Sequence, residues 1–311
     1  MKAFHSDHHL LPLPPGHRFP RSKYRLLREL VEGLDDLRTI AADAASDVEL
    51  GLAHDARYLA DVIGGTLSAA EVRAIGFPWS EGMVERSRRS VGATIGAGRA
   101  ALVEGVAANL AGGTHHASAT RGSGFCVFND VAVAARLLQR EAATTGGEPL
   151  RVAVIDLDVH QGDGTAAIFA GDASVFTLSL HGERNFPFRK AASDLDVALP
   201  DGCGDVEYLG ALDAALDALW REHRVAPFGL AFYLAGADPH EGDRLGRLAV
   251  SAGGLLERDR RVFAGLLAHR VQAAVTMAGG YGHDLAVTAA IQADTIGAAV
   301  DSWRRWKNAD R

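Results

Sequence analysis

Ile155-Asp156-Leu157-Asp158-Val159-His160-Gln161-Gly162-Asp163-Gly164-Thr165 is an apolar strand running into two acids and a histidine at alternating positions. In extended backbone successive side chains leave on opposite faces, so Asp156, Asp158 and His160 are expected on one side, Leu157 and Val159 on the other. Three polar groups then converge while two apolar ones anchor them. Imidazole with carboxylate oxygen suits zinc or a similar divalent ion, and catalytic zinc sites use three protein ligands with a fourth position for water or substrate. One ligand is therefore expected from elsewhere in the chain. A plain β/α loop whose acid caps the next helix would explain one acid, not two.

The surrounding chain supplies the frame for such a loop. Arg151 to Leu157, Ser174 to Leu180, Phe228 to Ala235 and Val271 to Met277 read as buried strands, too short for helices and rich in Val, Phe and Ile. Helical patterns lie between them at Val206 to His223, Ser251 to His269 and Asp284 to Trp306. Earlier helices are read at Lys23 to Leu34, Asp55 to Ile63, Met83 to Leu110 and Asn129 to Glu141. Leu11-Pro12-Leu13-Pro14-Pro15-Gly16-His17 cannot be helical, and Ala142 to Pro149 reads as a surface connection. Strands alternating with helices imply an α/β architecture, a parallel sheet covered on both faces. With no linker or repeat, residues 1–311 are expected to form a single domain. Ligands of such sheets bind beyond the carboxyl ends of the strands. There stand Asp156 to Asp163, Ser179-Leu180-His181, Gly236-Ala237-Asp238 and Gly279-Gly280-Tyr281-Gly282.

Hydrophobic residues make up 48% and charged residues 23% of the chain, a globular balance that argues against extended disorder. No stretch approaches the ~20 apolar residues of a membrane-crossing helix, and Met1 to Leu10 carries three histidines instead of a basic-then-apolar leader, so a cytoplasmic protein is expected. Cys126 and Cys203 are too few and too far apart for a disulfide framework or a structural zinc site, and read as buried small groups. A net charge of −7 offers no footprint for direct nucleic-acid binding. The basic run Arg86 to Arg89 reads as the solvated face of a helix.

Gly112-Gly113-Thr114-His115-His116-Ala117 is the second strong signal, because adjacent histidines in a glycine loop have no evident packing role. They could be metal ligands, an accident of sequence, or a catalytic pair whose pKa values are separated by different partners. His8-His9 shows how weak a bare pair is, and a mobile polar end is the expectation there.

Five separated motifs together resemble the histone deacetylase family, zinc-dependent amidohydrolases of the arginase-deacetylase fold, a three-layer α/β/α domain with a central, mostly parallel sheet. They are Gly113 to Ala117, Gly122-Ser123-Gly124-Phe125-Cys126-Val127-Phe128-Asn129-Asp130, Asp156 to Gly164, Gly236-Ala237-Asp238 with Gly242-Asp243, and Gly279-Gly280-Tyr281. Gly16-His17-Arg18-Phe19-Pro20 with Lys23-Tyr24, and Gly242-Asp243-Arg244-Leu245-Gly246, are most similar to the class IV branch and its bacterial relatives.

The resemblance implies that Asp158, His160 and Asp238 hold one zinc per chain, zinc rather than iron being undecided. It implies His115 and His116 as a catalytic pair buttressed by Asp156 and Asp163, with His116 as general base and His115 as electrostatic support. Tyr281 would donate its hydroxyl to the substrate carbonyl. Phe125, Phe186 and Leu245 would line an acyl-lysine tunnel, with Gly124, Gly279 and Gly280 as further substrate contacts. A structural potassium ion would sit at Asp156, Ser179 and Leu180 with the backbone of Asp158 and His160. A second would involve Phe169, Asp172, Val175 and Leu195.

The implied activity is removal of acyl groups, acetyl or longer, from N-acyl-lysine in proteins or peptides. An acetylpolyamine hydrolase would use the same site, and an inactive acyl-lysine binding module would keep the fold alone. An arginase-like enzyme with two manganese ions needs an acid two positions after the histidine, where this chain has Gly162. Oligomeric state is not readable from these residues.

Overall fold

The computed structural model describes every residue except 145, 147, 310 and 311. Its strands are β1 (Lys2–His5), β2 (Arg38–Ala41), β3 (Val106–Asn109), β4 (Val152–Asp156), β5 (Val175–Gly182), β6 (Leu195–Leu199), β7 (Leu230–Leu234) and β8 (Gln272–Thr276). They form one eight-stranded sheet in the order β2-β1-β3-β8-β7-β4-β5-β6, with each described pairing parallel. The helices are α1 (Lys23–Val31), α2 (Asp47–Leu50), α3 (Ala56–Gly64), α4 (Ala69–Ile75), α5 (Glu81–Glu104), α6 (Asp130–Thr144), α7 (Asp163–Phe169), α8 (Asp205–Val225), α9 (Ala252–Ala268) and α10 (Leu285–Ala309).

Pleating divides the core into two layers. Ala153 and Ile155 of β4 pack with α8, α9 and α10, whereas Val152 and Val154 pack with α5 and α6. Burial on both faces is why these strands are continuous apolar runs with no polar alternation. Helix ends follow local chemistry: the Asp55 carboxylate caps α3 through the Arg57 N–H, and the Ser251 hydroxyl caps α9 through the Gly254 N–H.

Several expectations are corrected. The helix read as Met83 to Leu110 ends at Glu104, because Gly105 turns the chain at φ 88° and Val106–Asn109 then enters the sheet as β3. Strands β1, β2 and β6 were not expected from sequence. They are short outer or near-edge strands carrying Lys2, Arg38, Asp196 and other polar residues, so their apolar signal is weak. The pairing of β1 with β2 and β3 also places His5 in the sheet, and His8 and His9 in the turn after it, so this end is held rather than mobile. Arg86 is buried with its guanidinium 5.0 Å from the Tyr24 ring centroid, Arg88 reaches the Ala45 carbonyl and Asp47, and Arg89 reaches Glu85 and the Ala42 carbonyl. That run is an interface, not a solvated face. Cys126 and Cys203 are free and buried as expected. In the connection read at Ala142 to Pro149, α6 extends to Thr144, while residues 145 and 147 lie outside the described residues. Among the described residues no helix is long and apolar enough to cross a membrane.

Candidate active site

The carboxyl ends of β4, β7 and β8 meet at one point. Strand β4 stops at Asp156, so the alternation expected through His160 continues on a bend rather than in the ladder, with Leu157 and Val159 still in the apolar layer. Asp158, His160 and Asp238, the last from the turn after β7, are buried with ligand atoms within 4.8 Å of one another. Nδ1 of His160 lies 3.0 Å from Asp158 Oδ1 and 3.2 Å from Asp238 Oδ2. Backbone fixes the carboxylates: the Gly279 N–H donates to Asp158 Oδ2 at 2.6 Å and the Val159 N–H to Asp238 Oδ1 at 2.9 Å.

This donor set fits a divalent metal. Oδ2 of Asp238 is buried without a hydrogen bond that satisfies it, and two adjacent carboxylates share one imidazole as counter-charge. Burial alone would lower the His160 pKa, but Asp158 and Asp238 raise it to about 10, while burial and the Asp158 charge push Asp238 up. A proton on His160 offsets only part of the negative charge that a dication would offset more fully.

The histidine pair stands beside it. Nδ1 of His115 is 2.7 Å from Asp156 Oδ2, Nδ1 of His116 is 2.6 Å from Asp163 Oδ1, and the two Nε2 atoms are 3.2 Å apart. Each Nδ1 therefore carries the hydrogen, and the Nε2 pair shares one proton. Burial opposes it on both rings, yet Asp156 and Asp158 raise His115 to about 9, whereas burial and the His115 charge lower His116 to about 4. The shared proton thus belongs to His115, and His116 Nε2 is the acceptor of that bond, with its lone pair the basic one of the pair.

The loop carrying the pair is clamped. Asp130 accepts from the Gly113 N–H at 3.0 Å and the Thr114 N–H at 2.8 Å, and Asn129 Nδ2 donates to the Ala117 carbonyl at 3.0 Å. A Cβ on Gly124 would stand 2.7 Å from His116 Cδ2, so only glycine allows that approach.

A cavity of about 850 Å³ opens onto these groups, lined by His116, Gly124, Phe125, His160, Phe186, Leu245 and Tyr281. The Tyr281 ring lies 6.3 Å from His160 and 6.0 Å from Phe125, centroid to centroid. Burial and the Asp158 and Asp238 charges raise its pKa well above the usual phenol value, keeping it an O–H donor. Phe186 stands edge-on to His116 at 4.9 Å. Gly279, whose N–H donates to Asp158, and Gly280 do not line this cavity.

Asp156, the last residue of β4, is the register partner of Ser179 within β5, with Leu180 following. Phe169, Asp172 and Val175 share the turn from α7 to β5, joined by backbone bonds from Asp172 N to Phe169 O and from Val175 N to Asp172 O. Leu195 pairs with Leu178, three positions further along the sheet than Val175.

Two supporting residues were not singled out by their roles. Lys23, almost fully buried, donates Nζ to the carbonyls of Ala278 and Gly280 at 3.2 Å each. Arg258 donates to the Gly236 carbonyl at 2.6 Å and to Asp259, whose carboxylate also accepts from Tyr233 and Thr295. A charged residue in the apolar stripe of a helix was the available signal for both.

A model of the histone deacetylase domain matches residues 17–295. An uncharacterized protein of Picosynechococcus sp. is 44% identical over 91% of this chain and 93% of its own length. Histone deacetylase 2 of Arabidopsis thaliana is 31% identical over 90% of this chain and 73% of its own. Among solved structures, an HDAC homolog complexed with SAHA has 25% identity and a TM-score of 0.79, covering 96% of this chain and 84% of that one.

Proposed function

The chain belongs to the histone deacetylase family, and from that premise we propose that it hydrolyses the amide of N-acyl-lysine in peptides or proteins. Carrying the reading is the cluster of Asp158, His160 and Asp238, of which His160 lines a cavity walled by His116, Tyr281, Phe125 and Phe186. Those three residues would hold a single zinc ion, which when bound supplies Lewis-acid polarisation of the amide carbonyl and a water of lowered pKa. His116 Nε2 takes the proton of the attacking water and returns it to the departing lysine amine. Asp163 keeps the other proton on Nδ1, so that the Nε2 lone pair is the basic one. The Tyr281 hydroxyl donates to the developing oxyanion, and Phe125 and Phe186 flank the acyl-lysine stem.

One metal is favoured over two by more than the missing acid. A Cβ at Gly162 would press against Asp156 Oδ2, so an acidic side chain there would break the His115–Asp156 pair.

Acetyl-, octanoyl- and myristoyl-lysine peptides assayed beside acetylated polyamines, with metal content measured by mass spectrometry, test the proposal. Hydrolysis of lysine peptides with about one zinc per chain is expected. Tyr281→Phe should slow it ~10²- to 10³-fold and His116→Ala ~10²- to 10⁴-fold, with metal content retained. Undiminished turnover in either variant, or activity confined to polyamines, sinks it.

A further inference from the structure

The cavity is lined by Arg18, Arg73, Arg184, Arg244 and Arg247, and by no aspartate or glutamate. All five residues are exposed, in a chain whose net charge is −7. The mouth therefore has the opposite sign to the molecule. Among the described residues, one carboxylate opposes these cations: Asp201 lies 3.2 Å from Arg247 and 3.9 Å from Arg184. Asp243 does not, since its oxygens accept the backbone N–H groups of Leu245, Gly246 and Tyr281.

The arginines come from separate stretches of chain, and their contacts group them. Arg244 donates to the Tyr281 carbonyl and to the Arg18 carbonyl, which puts these two at one corner. Arg184 and Arg247 share Asp201 at another. Arg73 comes from the last turn of α4, beside the Ala74 and Ile75 carbonyls that hold Gly124 and Phe125. A small acid in the cavity would meet one of these groups, whereas an extended segment with carboxylates on either side of the modified lysine would meet several. Guanidinium forks match carboxylates in charge and geometry. Phe188, 86% exposed next to Phe186, adds an apolar surface at the same rim.

We propose that this arginine-lined mouth selects N-acyl-lysine within acidic peptide segments, those with Asp or Glu flanking the modified residue. The inference rests on the acyl-lysine reading and narrows it. An acylated polyamine, whose remaining amines are cationic, is repelled by the same charges. Because the arginines are exposed, the preference falls as salt shortens the range of the field from about 8 Å at physiological ionic strength.

The test uses fluorescent acetyl-lysine peptides with Asp/Glu, Ser/Gly or Lys/Arg flanks. Binding is measured to the full-length Tyr281→Phe variant, and kcat/KM on the wild type. Acidic flanks are expected to bind at least tenfold more tightly than basic ones at low salt, with the ratio shrinking toward one as NaCl is raised. Arg73→Glu combined with Arg247→Glu, checked for an unchanged thermal transition, should reverse the order. Equal binding, tighter binding of basic peptides or acetylated polyamines, or a ratio indifferent to salt overturns the inference. A charge preference in binding without turnover of any peptide supports the inference and sinks the deacylase reading. Turnover without a preference does the reverse.

Discussion

The carboxylate of Asp243 accepts the backbone N–H of Tyr281 at 2.6 Å through Oδ2, while Oδ1 accepts those of Leu245 and Gly246 at 2.8 and 2.9 Å. One side chain thus fixes both a wall of the cavity and Tyr281, whose hydroxyl is proposed to donate to the substrate. Misplacing a reacting group by about 1 Å can cost ~10²-fold in rate. Asp243→Ala is therefore expected to lower kcat ~10- to 100-fold while zinc content stays near one per chain. Steady-state kinetics beside metal analysis check this, and a wild-type kcat would refute the positioning role.

Metal uptake should release protons. Burial works against the His160 charge, but Asp158 and Asp238 raise its pKa to about 10, so the metal-free protein holds this imidazole protonated at neutral pH. A ligating nitrogen must give that proton up. Zinc binding at pH 7 is expected to release at least one proton, from His160 and in part from Asp238, whose carboxyl is pushed up to about 7, with affinity rising about tenfold or more per pH unit through neutral pH. Calorimetric titration of the metal-free protein in two buffers of different ionisation enthalpy reads the number directly. An enthalpy independent of buffer would contradict it.

A pH dependence of stability is expected from a residue away from the chemistry. Nδ1 of His54 donates to the Ser118 carbonyl at 3.1 Å and Nε2 accepts the Asn129 N–H at 2.9 Å, which requires the neutral ring. Burial lowers its pKa to about 4. Between the unfolded value of about 6.5 and about 4, the unfolded chain binds a proton that the folded one does not, so stability falls with falling pH, by up to ~3 kcal/mol. Above pH 6.5 the residue adds no slope. Chemical denaturation of wild type and His54→Gln from pH 7.5 to 5 should show a flatter profile for the variant. Identical slopes would remove His54 as the cause.

What the sequence could show here was local. The alternation around Asp158, the helix starts at Asp55 and Ser251, and the buried runs of β4, β5, β7 and β8 are legible because their causes lie within a few residues. Strand β3 was hidden because Val106-Ala107-Ala108-Asn109 has a single β-branched residue and follows a long alanine-rich helix; only Gly105 marks the break. Asp238 is 78 positions from His160, and the two meet because β7 lies beside β4, an adjacency that no periodicity reports. The family resemblance supplied that pairing. Arg86 was misread for the converse reason: its charge suggested water, and the Tyr24 ring that covers it lies on another helix.

Gly279 offers a sharp test of how tightly the proposed metal ligands are packed. A Cβ there would collide with Asp238 Oδ2 and lie 2.6 Å from Asp158 Oδ2, and both oxygens are buried. No left-handed backbone is involved, so Gly279→Ala acts on the site rather than on the fold. Gly297 in α10 is the control, because a Cβ there meets nothing within 4 Å. Gly297→Ala should leave metal content alone and stabilise the helix by about 0.5–1 kcal/mol. Gly279→Ala should purify folded with well under half the wild-type zinc, since the added methyl must push one carboxylate out of reach of an ion that the two would share. Circular dichroism, thermal melts and metal analysis on both variants decide the matter. Full zinc occupancy in Gly279→Ala would mean that Asp158 and Asp238 are not jointly committed to the ion.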